Sequence, residues 1–383
     1  MTDVIAHLGR HDGVFLQSNH VDSDQLRYAQ LHQWWLDNSF ADYIASPNTR
    51  VASLLSHPAY AAVALHAFAA RCVYCPLPSS LSATALDEAW SQLQFDVLLT
   101  DNPSSEALAL LAARGVQLAT VVASSGGWGL FQLQPCPQPG VVALPTPDIS
   151  TLAAPQPPCL LLRTSGTTAL PKVVELQWDT LIAAVGNVAG CLNLTPQDIG
   201  LNSMPLYHLH GLAVNIGASA VAGARVVLAP FLNGTGMLQA LCKHECTWYS
   251  AVPAIHAALV QAAAQQPTLC PQLRLIRNCS APLPPPLALQ LAGTFGCQVL
   301  PTYAMTECLP ITSPAVMAVS KWSEMALCEA TFAAVGASCG VELGVLPSGG
   351  NREVCSVGEG EVLLRGKFLN RYLNDCCKIM LLL

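Results

Sequence analysis

Charged side chains are scarce in this 383-residue chain, at 11% of all residues, where a soluble domain usually carries about a quarter. The 24 acidic residues outnumber the 17 basic ones, giving a net charge of −7, and no block of like charge occurs. A nucleic-acid partner, which needs a basic face or stripe, is therefore not expected. A secretory leader is also missing, because Asp3, His7, Arg10, His11 and Asp12 interrupt the first residues and leave no apolar core behind a basic start. The expected location is the cytoplasm. The most apolar interior stretch, Gly211 to Phe231, is broken by Asn215 and Arg225 and reads as a buried helix followed by a strand, so no membrane span is expected. No short internal repeat of the solenoid kind appears.

The 16 cysteines do not follow zinc-finger spacing. Cys72 with Cys75, and Cys242 and Cys246 around His244, form two close groupings, and neither has a second ligand pair nearby in the sequence. Others, such as Cys159, Cys191 and Cys297, sit singly in apolar surroundings and read as small buried hydrophobes rather than as a secreted disulfide framework.

Apolar residues, in contrast, make up 52% of the chain and mean hydropathy is +0.41, enough for large α/β layers with covered strands. Residues 51 to 78 read as strand, helix from about Pro58, and a second strand closed by proline. The run "SATALDEAWSQLQFDVLLTD" repeats the pattern with Ser82 as N-cap. Such units imply a parallel sheet. Residues 134 to 158 are dense in proline and read as an extended connection, after which strands and helices alternate again up to "CQVLPTYAMTE". The stretch 335 to 375 looks like short antiparallel strands and turns.

Three stretches carry chemistry. "TSGTTALPK" offers backbone N–H groups, hydroxyls and Lys172 to anionic oxygens, but it lacks the glycine-lysine-serine order of a Walker loop, and taken alone such a stretch is more often just a turn. "PLYHLHG" sets Tyr207, His208 and His210 beyond a strand, where open α/β sheets bind ligands, although a His pair in a lone motif is more often structural than catalytic. "TYAMTE" presents Thr306 and Glu307 after another strand, as oxygen donors for a magnesium ion or as a capped helix start.

Their order, together with "LIRNCSAPL" between the second and third, resembles the adenylate-forming (AMP-binding) superfamily of acyl-CoA synthetases, luciferases and peptide-synthetase adenylation domains. The resemblance covers roughly residues 50 to 375 and is nearest the oxalate:CoA ligase group. It implies an α/β fold, the large N-terminal domain of that superfamily: two α/β subdomains plus a small distorted β-barrel portion, without the small C-terminal domain. The implied layout is an N-terminal extension (1–46), a first subdomain part (47–133), the Pro-rich connection (134–158), a second subdomain with the ATP motifs (159–330), a partial β subdomain (331–375) and an aberrant tail (376–383).

The implied activity is ATP-dependent carboxylate:CoA ligation, with ATP, Mg2+ and CoA as cofactor and cosubstrates and a small or dicarboxylic acid such as oxalate as substrate. A domain loading a carrier-protein thiol, or an inactive nucleotide-binding protein, remain the alternatives, and the oligomeric state is open. Carried over by position, Thr164, Ser165, Gly166, Thr167, Thr168 and Lys172 would hold the β- and γ-phosphates. Ser280, Ala281 and Pro282 would lie along the adenine, with Tyr303 on its other side in the run Thr302, Tyr303, Ala304, Met305 and Thr306. Thr306 would touch the α-phosphate and Glu307 would bind Mg2+; His208 would line the carboxylate pocket, with His256 and Arg277 near it. Lys172, His208, Thr306 and Glu307 are the catalytic candidates.

The sequence departs from the superfamily pattern at several positions. Ala169 and Val173 replace residues that are usually glycine or hydroxyl-bearing, and valine at 173 is expected to forbid positive φ beside the lysine. Pro310 stands where the oxalate group commonly carries histidine. The chain ends in "CCKIMLLL", apolar and without turn logic, which reads as a truncated or altered terminus with impaired adenylation and no peroxisomal address.

Overall fold

The computed structural model describes residues 8–38, 40–102, 106–136, 157–164, 171–229, 233–265, 270, 272–318, 321, 328–347, 360–366 and 369–372. The chain divides into two compact units, Met1–Trp178 with Pro205–Leu212, and Asp179–Met204 with Ala213–Leu383.

The first unit opens with an antiparallel pair, β1 (Val14–Ser18) and β2 (Gln25–Arg27), and the helix α1 (Tyr28–Asp37). Then come β3 (Arg50–Leu54), α2 (Pro58–Phe68), β4 (Val73–Leu77), α3 (Ala83–Leu93), β5 (Val97–Thr100), α4 (Glu106–Ala113), β6 (Gln117–Ala123), β7 (Phe131–Pro135), β8 (Leu160–Thr164) and β9 (Lys172–Leu176). Proline at the first turn starts α2, and its Ala-rich length is buried on nearly every face. Ser82 Oγ accepts a hydrogen bond from the Ala85 N–H at 3.2 Å and caps α3, as its sequence suggests. The strands run in the order β9-β8-β4-β3-β5-β6-β7. Interior neighbours are parallel, and the β8–β9 and β6–β7 hairpins are antiparallel. Thr164 and Lys172, the first and last residues of "TSGTTALPK", thus pair on β8 and β9, and β8 pairs with β4 through Tyr74 and Leu160.

In the second unit α5 (Trp178–Cys191) leads into β10 (Ile199–Asn202). A π-helical stretch (His210–Gly217), α6 (Ala218–Ala222), β11 (Arg225–Leu228), α7 (Gly234–Lys243), β12 (Trp248–Ala251), α8 (Pro253–Gln265), β13 (Leu275–Asn278), α9 (Pro285–Phe295) and β14 (Gln298–Pro301) follow. The strands are parallel in the order β14-β13-β12-β10-β11. One face carries Leu201, Val227, Tyr249, Ile276 and Val299 into a core with Met237 and Leu241 of α7, Leu259 of α8 and Leu291 of α9. At the strands' N-terminal ends, buried Asp198 accepts hydrogen bonds from Arg274 Nε at 2.8 Å, Arg274 Nη2 at 3.0 Å and Thr247 Oγ1 at 2.7 Å.

Short strands complete the unit: β15 (Tyr303–Met305), β16 (Cys308–Ser313), β17 (Ala337–Ser338), β18 (Glu342–Pro347), β19 (Gly360–Arg365) and β20 (Arg371–Tyr372). The expected β-barrel portion is not formed among the described residues. Among the described residues β15, β16 and β17 form one small sheet and β18 and β19 a separate ribbon, with no ladder closing them into a barrel.

Cys242 is disulfide-bonded to Cys270, 28 residues away, a pairing that the sequence reading did not foresee. The bond takes Cys242 out of any ligand set with His244 and Cys246. Among the described residues no helix is long and apolar enough to cross a membrane.

Candidate functional site

Parallel strands deliver their following loops to one edge of a sheet, so β12, β13 and β14, which are neighbours, bring the chain after Ala251, Asn278 and Pro301 together. Thr302 Oγ1 donates to the Asn278 carbonyl at 2.5 Å, and the Thr302 N–H donates to the same oxygen at 3.2 Å. Asn278 Nδ2 donates to the Ala281 carbonyl at 2.8 Å and folds the loop back on itself. Between them Ser280 has φ of 70°, a left-handed conformation that few L-residues hold without support. Ser280, Ala281 and Pro282 are therefore laced to the start of the Thr302–Glu307 run. Buried Asn278 supplies much of that lacing, and its Oδ1 has no hydrogen-bond partner among the described residues. Sequence reasoning passed over Asn278, although a polar residue ending an apolar strand is a signal for it.

Thr306 and Glu307 form the turn between β15 and β16, where Met305 pairs with Cys308. The alternative of a capped helix start does not hold, since β16 pairs back on β15. Asn370 fixes this turn, its N–H donating to the Glu307 carbonyl at 2.8 Å and its Nδ2 to the Thr306 carbonyl at 3.4 Å. Glu307 is buried and Thr306 half-buried. Tyr303 and Ala304 lie in β15, and the Tyr303 phenol is pushed up by burial, with Cys308 and Glu307 adding to it.

His256 and Arg277 do not share a face. Tyr249 Oη lies 3.0 Å from His256 Nδ1, whereas the next residue of β12, Ser250, accepts a hydrogen bond from Arg277 Nη1 at 3.2 Å. Successive strand residues point to opposite sides, so His256 lies on the side of the core and Arg277 on the other. Burial pushes His256 down to about 4, against the Ala251 carbonyl, and keeps it neutral. Arg277 is 2% exposed, and its Nη2 has no partner among the described residues. A buried guanidinium left so is costly unless an anion completes it.

The first unit holds the other candidates. Thr164 and Lys172 face each other at the mouth of the β8–β9 hairpin, with Thr164 Oγ1 donating to the Lys172 carbonyl at 3.4 Å. Gln92 of α3 braces the hairpin, its Nε2 donating to the Pro171 carbonyl at 3.2 Å and its Oε1 accepting from Arg163 Nε at 2.9 Å. Lys172 is exposed. Ser165, Gly166, Thr167, Thr168 and Ala169 lie outside the described residues. Val173 sits in β9 opposite Arg163, in extended backbone, so the objection that valine forbids positive φ does not apply at this position. His208 is exposed beside the Tyr207 ring, with centroids 4.6 Å apart, and its carbonyl accepts from the Leu212 N–H at 3.1 Å.

The family described as AMP-binding enzyme matches residues 12–372. The chain belongs to the AMP-binding enzyme family. A probable CoA ligase of Humulus lupulus, CCL9, is 31% identical over 302 residues, covering 74% of this chain and 54% of that protein. The oxalate–CoA ligase of Arabidopsis thaliana is 41% identical over 157 residues, 40% of this chain and 30% of that enzyme. The chain thus spans about half the length of the first of these relatives and less of the second. Apo MatB from Rhodopseudomonas palustris superposes with a TM-score of 0.77 at 21% identity, over 97% of this chain and 71% of that one, which shows the fold.

AMP-binding enzymes typically use Mg2+, and the donor chemistry here fits it. The Glu307 carboxylate and Thr306 hydroxyl are hard oxygen donors on one turn, and Mg2+ is commonly held by one or two carboxylates with phosphate oxygens and water completing its shell. The buried Asn215, noted in the sequence only as a break in an apolar run, lies in the π-helical stretch, where Nδ2 donates to Asn202 Oδ1 at 2.6 Å. Such π-helical turns recur at functional sites.

Proposed function

We propose that this chain carries the nucleotide- and acid-binding part of an ATP-dependent carboxylate:CoA ligase acting on a small or dicarboxylic acid. The observation that carries the reading is the pair of interlocked loops at the C-terminal edge of β13 and β14, with Ser280–Pro282 on one and Thr302–Glu307 on the other. In this reading an acid oxygen attacks the α-phosphorus of ATP, the bond to the bridging oxygen breaks, and pyrophosphate leaves. The CoA thiol then attacks the acyl carbonyl, loses its proton and expels AMP.

The first step needs positioned donors and cations rather than covalent help. Ser280–Pro282 and Tyr303 hold the adenine, and the Thr306 hydroxyl donates to an α-phosphate oxygen. Glu307 would hold Mg2+, which when bound neutralises developing charge on the phosphate oxygens. Thr164, the Ser/Thr-rich segment 165–168 and Lys172 grip the β- and γ-phosphates, and His208 lines the acid site. Arg277 supplies the cation for a small acid, and the oxalate–CoA ligase relative supports that class of substrate. Buried, neutral His256 is a packing partner of Tyr249 rather than a charge for the acid.

ATP titration by calorimetry with and without Mg2+ tests the nucleotide reading. Glu307→Gln is expected to remove most of the Mg2+ dependence, and Lys172→Ala to weaken ATP by roughly tenfold, the worth of one charge-assisted contact. Unchanged affinity and Mg2+ dependence in both variants would sink the site assignment.

A further inference from the structure

Two cysteines that the mechanism does not use meet in the second unit. Cys191 ends α5 and Cys339 follows β17, 148 residues apart in sequence, yet their sulfurs are 3.0 Å apart. Hydrogen bonds hold the Cys339 backbone at both its carbonyl and its N–H. Asn187 Nδ2, one turn before Cys191, donates to the Cys339 carbonyl at 3.3 Å, and the Cys339 N–H donates to the Ile311 carbonyl at 2.8 Å. A disulfide needs its sulfurs at about 2.05 Å, so bonding requires a closure of about 1 Å.

We propose that Cys191 and Cys339 form a peroxide-sensitive dithiol that oxidises to an internal disulfide. Cys191 is half-buried and takes the first oxidation, while Cys339 is 7% exposed and resolves it. The order follows from the charges. The hydrogen bond between the two sulfurs brings the Cys191 thiol down to about 7 against burial, with the positive charge of Arg277 helping. The same contact, with burial, pushes the Cys339 thiol up. Burial holds Cys75, Cys246, Cys297 and Cys308 up at about 12, so they remain unreactive thiols.

The chemistry balances. The Cys191 thiolate attacks one oxygen of hydrogen peroxide, the O–O bond breaks, and hydroxide leaves to be protonated to water, giving a sulfenic acid. The Cys339 sulfur then attacks the Cys191 sulfur; the S–O bond breaks, water leaves with the Cys339 proton, and the S–S bond forms. Two thiols lose two electrons and two protons, and the peroxide is reduced to two waters. The bond would fasten α5 to the end of β17, which pairs with β16, the strand leading away from the Thr306–Glu307 turn.

Mass spectrometry tests this on the intact protein. The chain is exposed to one equivalent of hydrogen peroxide, then alkylated and digested. Expected is a cross-linked peptide pair joining Cys191 to Cys339, with loss of two hydrogens, formed before any other cysteine is oxidised. In Cys339→Ser the Cys191 sulfenic acid should instead persist and be trapped by dimedone. The proposal is overturned if the cross-link is absent from the unsubstituted protein while its Cys191 accumulates trapped sulfenic acid. It is equally overturned if exposed Cys328 reacts first and Cys191 stays alkylatable.

Discussion

Two histidines held neutral by burial make stability fall in mild acid. His66 lies in α2 with Nδ1 3.1 Å from the Ala62 carbonyl and its ring edge-on to Phe15 at 5.4 Å; His256 lies in α8 against Tyr249. Burial lowers each from 6.5 to about 4, with a backbone carbonyl opposing in both cases. Between those values the unfolded chain binds a proton that the folded state refuses, so stability is full above pH 6.5 and falls as pH drops towards 4. At 1.36 kcal/mol per pH unit, the loss between pH 7 and pH 5 is about 2 kcal/mol for each histidine. That window lies above ordinary carboxyl values, so the depressed carboxyl of Asp198 does not contribute; half-buried His57, lowered by burial against Asp101, adds in the same direction. Urea unfolding followed by tryptophan fluorescence at pH 7 and pH 5 measures the difference. His66→Gln and His256→Gln should each flatten the pH response of their own unit by about 2 kcal/mol. If both variants lose as much between pH 7 and pH 5 as the parent protein, the histidines are not neutral in the folded state and the reasoning fails.

The remaining expectations concern two arginines of the second unit. Arg274→Ala leaves the Asp198 carboxylate buried with the Thr195 and Thr247 donors but no cation, and should cost about 3 kcal/mol in urea unfolding; a loss below 1 kcal/mol would show that the hydroxyls suffice. Arg277→Met removes a guanidinium whose Nη2 has no partner among the described residues, so stability should hold or rise, and under the proposed role of Arg277 in acid binding, affinity for the acid should drop at least tenfold. Loss of stability with binding intact would make Arg277 structural.

Much of the strand-helix alternation was legible because local chemistry marks it. Pro58 starts a helix, Ser82 caps one, and a short apolar run closed by a polar residue, as in Val97–Thr100, reads as a buried parallel strand. The resemblance placed Ser280 and Thr306 at strand ends, and the interlocking through Thr302 and Asn278 gives those placements a physical basis. What could not be read depends on pairing across the chain. The side to which Arg277 points is fixed by its register with Ser250, and that of His256 by Tyr249, one residue earlier on the same strand. No local pattern encodes that parity. The disulfide of Cys242 with Cys270 and the contact of Cys191 with Cys339 likewise join residues whose own surroundings look merely apolar. The proline-rich connection obscured that β8 returns to pair with β4, which puts the hairpin of Lys172 in the first unit.

Acid-dependent exchange of labelled pyrophosphate into ATP tests the central claim most directly, because it reports acyl-adenylate formation and nothing later. In a protein of the family's full length that contains this chain, with Mg2+ present, exchange should appear with oxalate or malonate, exceed that with coumarate and octanoate, and be lost in Glu307→Gln. ATP binding without exchange for any of the four acids would contradict the ligase reading and leave a nucleotide-binding protein in its place.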